Sequence, residues 1–476
     1  MGEKMDNEVK KTITVYVPGS QCNLRCEYCY VSQCLDESHI EKASFMYPLE
    51  HMIKSFDPKR IGIANITVIG RGETLLPKEV VPFIKGLLSY GHWVEVVTNL
   101  TLTDRINELL DVKDKSILKH LLVKGSLHWK ELKNKNLVDV YFENMCKVIA
   151  SGASSYPFLV ICKAYMPYLD EIRQVCLEKI HALPQCSPCI VYDGKDDIGR
   201  GGIYTTEPVC DEKFVKKIDD LFQSEIFKVC IKMLEVDPKK VFCYAGVYGF
   251  GVDMRSGYMV KCHNVPANRN FFENIKSDVS LLPVGCDCGI SSCALQYNFV
   301  AQGFIPEVDD TKYYGEILKK EGCIQPEFLH AVSVKYHENK GVFTKQQERD
   351  YIIEGYNHLL EKNSRLEDNN RKLVYNYNKL KSEYDKVAYC RGGKDCDKFN
   401  EVLTMLEKGE VKELSEIFSI KYAEELYNAC KRSDDRYTTY DNLKRLLLNC
   451  FIEGNIAKEK ISCLKSMLNI YGEKNV

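Results

Sequence analysis

The sequence predicts an α/β fold: a partial (β/α)6 barrel, then a small cysteine-rich auxiliary domain, then an all-α, coiled-coil C-terminal region. Three observations carry this reading. Short apolar runs alternate with helical segments from residue 12 to about 192, as repeated βα units around a parallel sheet require. The chain holds 22 cysteines, and its densest groups fall at 22–29 and 243–293. Beyond residue 344, an apolar side chain recurs every seven positions.

The expected strands are 13–17, 66–69, 94–98, 121–126, 158–163 and 189–192, with helices between them that include 79–90 and 137–150. Six such units leave a barrel open, because a full eight-stranded barrel takes roughly 250 residues. The pattern then fades into the glycine-rich DGKDDIGRGG, so the barrel is assigned to 1–205. Residues 206–325 form the cysteine-rich unit, 326–345 a linker, 346–389 the coiled-coil helix and 390–476 a helical tail with helices at 435–450 and 457–468. In the coiled-coil helix, Ile352, Leu359, Leu366, Leu373, Leu380 and Val387 make one seam, and Tyr356, Asn363, Asn370, Tyr377 and Tyr384 make a polar second one. Buried Asn can fix register and oligomer state, so the seam suits a homo-oligomer; packing against its own chain is the alternative.

A chain of 476 residues with 45% hydrophobic and 28% charged side chains folds, and is too long for one ordinary core. Its 65 Lys and Arg against 67 Asp and Glu give a formal charge of -2, so no global positive excess points to nucleic acid or an anionic membrane. The N-terminal MGEKMDNEVKK lacks the apolar core of a signal peptide, Asp6 spoils a myristoylation signal, and no stretch reaches the roughly 18 apolar residues of a membrane span. A cytoplasmic protein is expected. In that compartment thiols stay reduced, which favours metal or redox chemistry over disulfides.

The segment GSQCNLRCEYCY sets Cys22, Cys26 and Cys29 in a C-x3-C-x2-C arrangement directly after the first strand. A loop at a strand's C-terminal end can wrap three thiolates around three irons of a cubane and leave the fourth iron open. Structural zinc instead closes all four positions, and the nearby Cys34 keeps that reading available.

With these residues the chain resembles the radical SAM superfamily, whose members use this spacing to hold a [4Fe-4S] cluster and S-adenosylmethionine. The resemblance implies that Tyr28 sits against the adenine, and that Gly72 and Glu73 of GRGETLLP match the family's Gly-Gly-Glu element, with Glu73 receiving the methionine amino group. Gly70 and Arg71 belong to the same element, Arg71 standing where a glycine is usual. It further implies Ser126 facing the ribose and Asn99 lining the same pocket, although a strand-end Ser or Asn equally suits a turn or a helix cap. His128 is open between acid-base chemistry and local packing, and Lys163 and Arg200 between the cofactor carboxylate and a solvated surface. No side chain is assigned as catalytic.

Cys243, Gly257 and Cys262 stand in C-x13-G-x4-C, followed by Cys286, Cys288 and Cys293 among glycines and turn residues. This resembles the auxiliary extensions called SPASM or Twitch domains and implies one auxiliary [4Fe-4S] cluster. Cys243 and Cys262 would supply two ligands, and two of Cys286, Cys288 and Cys293 the others. Cys186 and Cys189 form a separate C-x2-C, open between redox, iron-binding and structural roles. Taken together, the resemblance implies reductive cleavage of S-adenosylmethionine to a 5′-deoxyadenosyl radical that abstracts hydrogen from a substrate. A peptide side chain is the expected substrate, although no leader-binding domain is expected ahead of the barrel; a sugar or nucleotide-sugar, or an inactive iron-sulfur scaffold, is the alternative. Flavodoxin or ferredoxin would be the reducing partner.

Overall fold

The computed structural model describes residues 9–29, 31, 40–189, 211–238, 240–262, 265–286, 293, 297–308, 310–320, 322–338, 343–344, 346–348 and 351, with the backbone of 190–192, 204–207 and 339–340. Cys34, Arg200, Cys288, the heptad seam from Ile352 onward and the tail 390–476 lie outside the described residues. The described residues belong to one compact unit, Met1–Ile352.

Six parallel strands stand side by side in chain order: β1 (Lys11–Val17), β2 (Ala64–Gly70), β3 (Trp93–Thr98), β4 (Leu121–Ser126), β5 (Ser154–Ile161) and β6 (Gln185–Tyr192). Consecutive order with helical crossovers is the strand arrangement of a partial barrel. The crossover helix Val80–Ser89 shows why these segments fold so: Val80, Val81, Phe83, Ile84, Leu87 and Leu88 are all buried on one side of it. Each such side chain contributes about 1.5–3 kcal/mol by leaving water. The helix Val138–Ala150 buries Tyr141, Phe142, Met145 and Val148 in the same way.

β5 and β6 begin earlier than the sequence suggests, and the reason is proline. Pro157 and Pro188 read as strand boundaries because proline cannot donate to a ladder. In the structure Pro157 stands opposite Gly125 and Pro188 opposite Ile161, each paired on one side, with the second neighbouring strand joining one residue later at Phe158 and Cys189. Tertiary pairing overrides the local signal. β5 therefore ends at Ile161, and Lys163 opens a short 3-10 helix, Lys163–Tyr168.

The sheet also continues past the sixth unit. β7 (Tyr204–Glu207) pairs antiparallel with β6, while β8 (Gly249–Asp253) pairs parallel with β1 on the opposite side. β9 (Tyr258–Cys262) and β10 (Val265–Asn270) extend that side antiparallel, giving a ten-stranded sheet in the order β10-β9-β8-β1-β2-β3-β4-β5-β6-β7. The cysteine-rich segment thus shares the barrel's own sheet.

The described residues between 297 and 336 run beneath the strands' N-terminal ends. Thr12 donates to the Gln302 side chain at 2.8 Å, the Ser155 amide to Cys323 O at 2.9 Å, the Gln325 amide to Ser154 Oγ at 3.0 Å, and Gln185 Nε2 to Ile317 O at 2.7 Å. This segment is the barrel's floor. Among the described residues no helix is long and apolar enough to cross a membrane.

Candidate cluster and cofactor site

The loop after β1 carries Cys22, Cys26 and Cys29; Cys26 is buried and the other two are half-buried. The loop is held by backbone contacts that side-chain patterns do not reveal. The Glu73 amide donates to Gln21 O at 2.8 Å, and a Cβ on Gly72 would fall 2.0 Å from the same Gln21 oxygen. Only glycine lets the two loops approach so closely. On the other side, Asn99 Nδ2 donates to Asn23 Oδ1 at 2.8 Å and stands 3.9 Å from Cys22 Sγ, while Asn23 Nδ2 donates to Thr101 Oγ1 at 2.7 Å. The ends of β2 and β3 therefore grip the cysteine loop from below.

Burial pushes the Cys22 thiol up to about 11 and raises Cys26 as well, with Glu73 and Cys29 adding to the first and Cys22 and Cys29 to the second. Such thiols give up their protons when a metal supplies the positive charge that burial withholds. Among the described residues no three His, Cys, Asp or Glu side chains are gathered as a single-ion site. The thiolates of a cubane bind different irons and so stand apart.

Glu73 is 5% exposed. Its Oε1 accepts from Thr98 Oγ1 at 2.5 Å and the Leu75 amide at 3.0 Å, and its Oε2 from the Asn99 amide at 2.9 Å. Burial raises its pKa, and these three donors act against the rise. It lines a cavity of about 360 Å³ together with Gly19, Gln21, Gly70, Gly72, Lys42 and Lys78. A cavity walled by a buried carboxylate, glycine backbone and two ammonium groups suits a zwitterionic amino-acid moiety. Arg71 is exposed, so its departure from the glycine run leaves the cavity clear.

Three thiols on a docked loop, and beside them a buried carboxylate facing a cavity, decide the reading. This is the arrangement that the resemblance to the radical SAM superfamily implies. Comparison with known proteins adds the following. No family model matches the chain. A segment of 89 residues, 19% of the chain, is 32% identical to the 7-carboxy-7-deazaguanine synthase of Rhodospirillum rubrum and spans 34% of that protein. Streptococcus suis SuiB bound to S-adenosylmethionine superposes with a TM-score of 0.39 at 14% identity, over 56% of this chain and 64% of SuiB. The anSMEcpe structure with bound AdoMet and Cp18Cys peptide gives 0.38 at 15% identity, over 56% and 79%. BtrN in complex with AdoMet and 2-DOIA gives 0.29 at 12% identity, over 70% and 90%. The chain thus spans about a third of the curated relative and less than two thirds of SuiB.

Around the three-cysteine loop the remaining expected residues fall as follows. Tyr28 has its hydroxyl 2.6 Å from His128 Nδ1 and its ring edge-on to Tyr165, with centroids 5.5 Å apart. Burial lowers the His128 pKa to about 4, so at neutral pH it is an uncharged imidazole that orients Tyr28. Ser126 ends β4 half-buried. Lys163 lies on the connection after β5. Asn23, Gln21, Thr98, Lys42 and Lys78 are additions that the sequence did not announce: a backbone oxygen and side chains from separate loops carry no local pattern.

In the second group, Cys243 and Gly285 exchange backbone hydrogen bonds, each 3.0 Å, which sets Cys286 beside Cys243. Cys262 ends β9, after the turn in which Gly257 takes a φ of +76°. Cys243, Cys262, Cys286 and Cys293 are all half-buried. Cys186 and Cys189 are buried. The Cys186 pKa is raised chiefly by that burial, which suits a core thiol rather than a reactive one.

Proposed function

We propose that this chain is a radical SAM enzyme in which Cys22, Cys26 and Cys29 hold a [4Fe-4S] cluster and Tyr28, Gly70, Arg71, Gly72, Glu73, Asn99 and Ser126 surround S-adenosylmethionine. When bound, these groups supply one-electron cleavage of a sulfur–carbon bond, giving methionine and a 5′-deoxyadenosyl radical that abstracts hydrogen from substrate. The observation that carries the reading is the docking of the three-cysteine loop onto Glu73 and Asn99 at the C-terminal ends of β2 and β3. The chain's own contributions are to fix that loop, to offer the Glu73 carboxylate to an ammonium group, and to hold Tyr28 against His128 and Tyr165.

Cys243, Cys262, Cys286 and Cys293 support an auxiliary cluster that accepts an electron from the substrate or orients it. Cys288 remains an alternative to either of the last two. A peptide side chain is the substrate class favoured by the auxiliary-cluster resemblance, with a reduced flavodoxin or ferredoxin as electron source.

The decisive test is dithionite-dependent formation of 5′-deoxyadenosine by anaerobically reconstituted protein, with iron counted in parallel. Wild type should form it, and the Cys22→Ala/Cys26→Ala/Cys29→Ala variant should not while keeping about four irons per chain in the auxiliary site. An iron-loaded, cofactor-binding wild type that gives no product would leave a scaffold as the better account.

A further inference from the structure

The inner wall of the barrel holds a charged pair that the cluster site does not use. Strand alternation and one glycine settle which way it faces. A Cβ on Gly125 would meet Leu100, the Tyr141 hydroxyl and Met145, so Gly125 faces the outer helices. Lys124 and Ser126, its neighbours on β4, therefore face the lumen. Lys124 lies one pleat deeper than Ser126, opposite Tyr156 on β5 and Val97 on β3. Exposure marks the lumen as open. The inward positions Thr67, Ile69, Val97, Ser126, Val160 and Ser187 are half-buried, whereas the outward Ile66, Val68, Val96, Val123 and Leu159 are at 0%.

Lys124 is the cation at the bottom of this space, 8% exposed. Its Nζ donates to the Tyr297 hydroxyl on the floor at 2.5 Å and stands 3.5 Å from the centre of the Phe158 ring. Glu95, one layer further down on β3, is engaged elsewhere, accepting from Tyr314 at 2.7 Å and Thr67 at 3.1 Å. No ion pair within 4.0 Å joins Lys124 to a carboxylate among the described residues. Beside it, the Tyr156 hydroxyl is buried without a hydrogen bond of proper geometry, although Tyr297 is its neighbour. A buried cation with donors to spare, and on the adjacent strand a buried hydroxyl whose neighbour Tyr297 lies outside good hydrogen-bond geometry, are the two halves of an acceptor site.

We propose that Lys124, with the Tyr156 hydroxyl, binds a carboxylate on the inward end of the substrate and so selects acidic substrates. The inference rests on the radical SAM reading, which requires substrate to sit between cluster and floor. A carboxylate fits better than a phosphate, because among the described residues Lys124 is the cation found at this depth and Glu95 lies beneath it. The groups around the ammonium are Glu95, Tyr156, Tyr297, Tyr314 and Cys230. Burial lowers the Lys124 pKa to about 8, with Glu95 opposing, so the amine is mostly charged at pH 7. Burial raises Glu95, which leaves less negative charge to compete.

The test uses full-length, reconstituted protein and trace acetylation with acetic anhydride, read at Lys124 by peptide mass spectrometry across pH. Lys124 should acetylate in the folded protein with a half-point near pH 8. Propionate, at matched ionic strength with chloride, should slow that acetylation several-fold, while inorganic phosphate should not. Calorimetric propionate affinity should fall about tenfold or more in Lys124→Met. Acetylation only after unfolding would make Lys124 a structural cation and overturn the proposal. Protection by phosphate instead, or by neither anion, would overturn it too. Wild-type 5′-deoxyadenosine formation is measured on the same sample, so failure of the radical SAM reading shows there, independently of the labelling.

Discussion

At the scale of single residues, buried polar groups decide what the site can do. Glu73 accepts on both carboxylate oxygens, and Glu73→Gln would turn an amide donor toward either the Asn99 amide or the Thr98 and Leu75 donors. It is expected to cost about 1–3 kcal/mol of stability. It should also weaken S-adenosylmethionine binding at least tenfold, measured by equilibrium dialysis, with the N-terminal cluster's iron retained. His92 makes a second residue-level case. Its Nδ1 accepts from the Ala64 amide at 3.1 Å and its Nε2 donates to Phe56 O at 2.7 Å, which requires the neutral ring. Burial lowers its pKa from 6.5 to about 4. The unfolded chain therefore binds the extra proton first as pH falls, so this stabilisation is complete above pH 6.5 and is lost on the way to 4. The loss amounts to about 3 kcal/mol. Melting temperatures should drop more steeply across that window in wild type than in His92→Asn; equal slopes would show that His92 does not titrate there.

At the scale of elements, glycines mark where two pieces of backbone meet. Gly72→Ala should displace the cysteine loop from Gln21 and lower the iron held by the proposed first cluster, while iron in the proposed auxiliary site stays. Gly249 does the equivalent for the sheet: its Cβ would lie 2.2 Å from Thr12 O on β1. Gly249→Ala is expected to destabilise by about 1–3 kcal/mol and to loosen the β1–β8 seam. Hydrogen exchange at β8 amides reads this directly, and unchanged protection there would argue that the seam adjusts without cost. The alternation of apolar runs and helices made the six strands β1–β6 legible, while β8, which also pairs parallel with β1, was not among them. Pro157 and Pro188 hid the first halves of β5 and β6, because a proline signal is local while pairing with a distant neighbouring strand is not.

At the scale of the whole molecule, the compact unit extends beyond the expected linker. The Phe343 amide donates to the Tyr244 hydroxyl at 2.6 Å, and the Tyr351 hydroxyl to Pro283 O at 2.5 Å. A chain cut after residue 352 keeps these contacts. It is expected to fold and bind iron as the full chain does, and to have a smaller oligomeric mass in light scattering if the heptad seam assembles the protein. An unchanged assembly state would assign that seam to another role.

The sequence by itself determined the repeating βα architecture, the three cysteines of the first loop and the Gly-Glu element, because periodicity and short spacing are local properties of a chain. Tertiary structure alone decided the rest. It brought Glu73 and Asn99 to Gln21 and Asn23 of the cysteine loop, joined β8 to β1, and floored the barrel with the described residues between 297 and 336. It also left Lys124 facing an open lumen. Each of these links residues far apart in sequence, and a lysine within the apolar run LLVKGS shows which way it points only when its neighbours are in place.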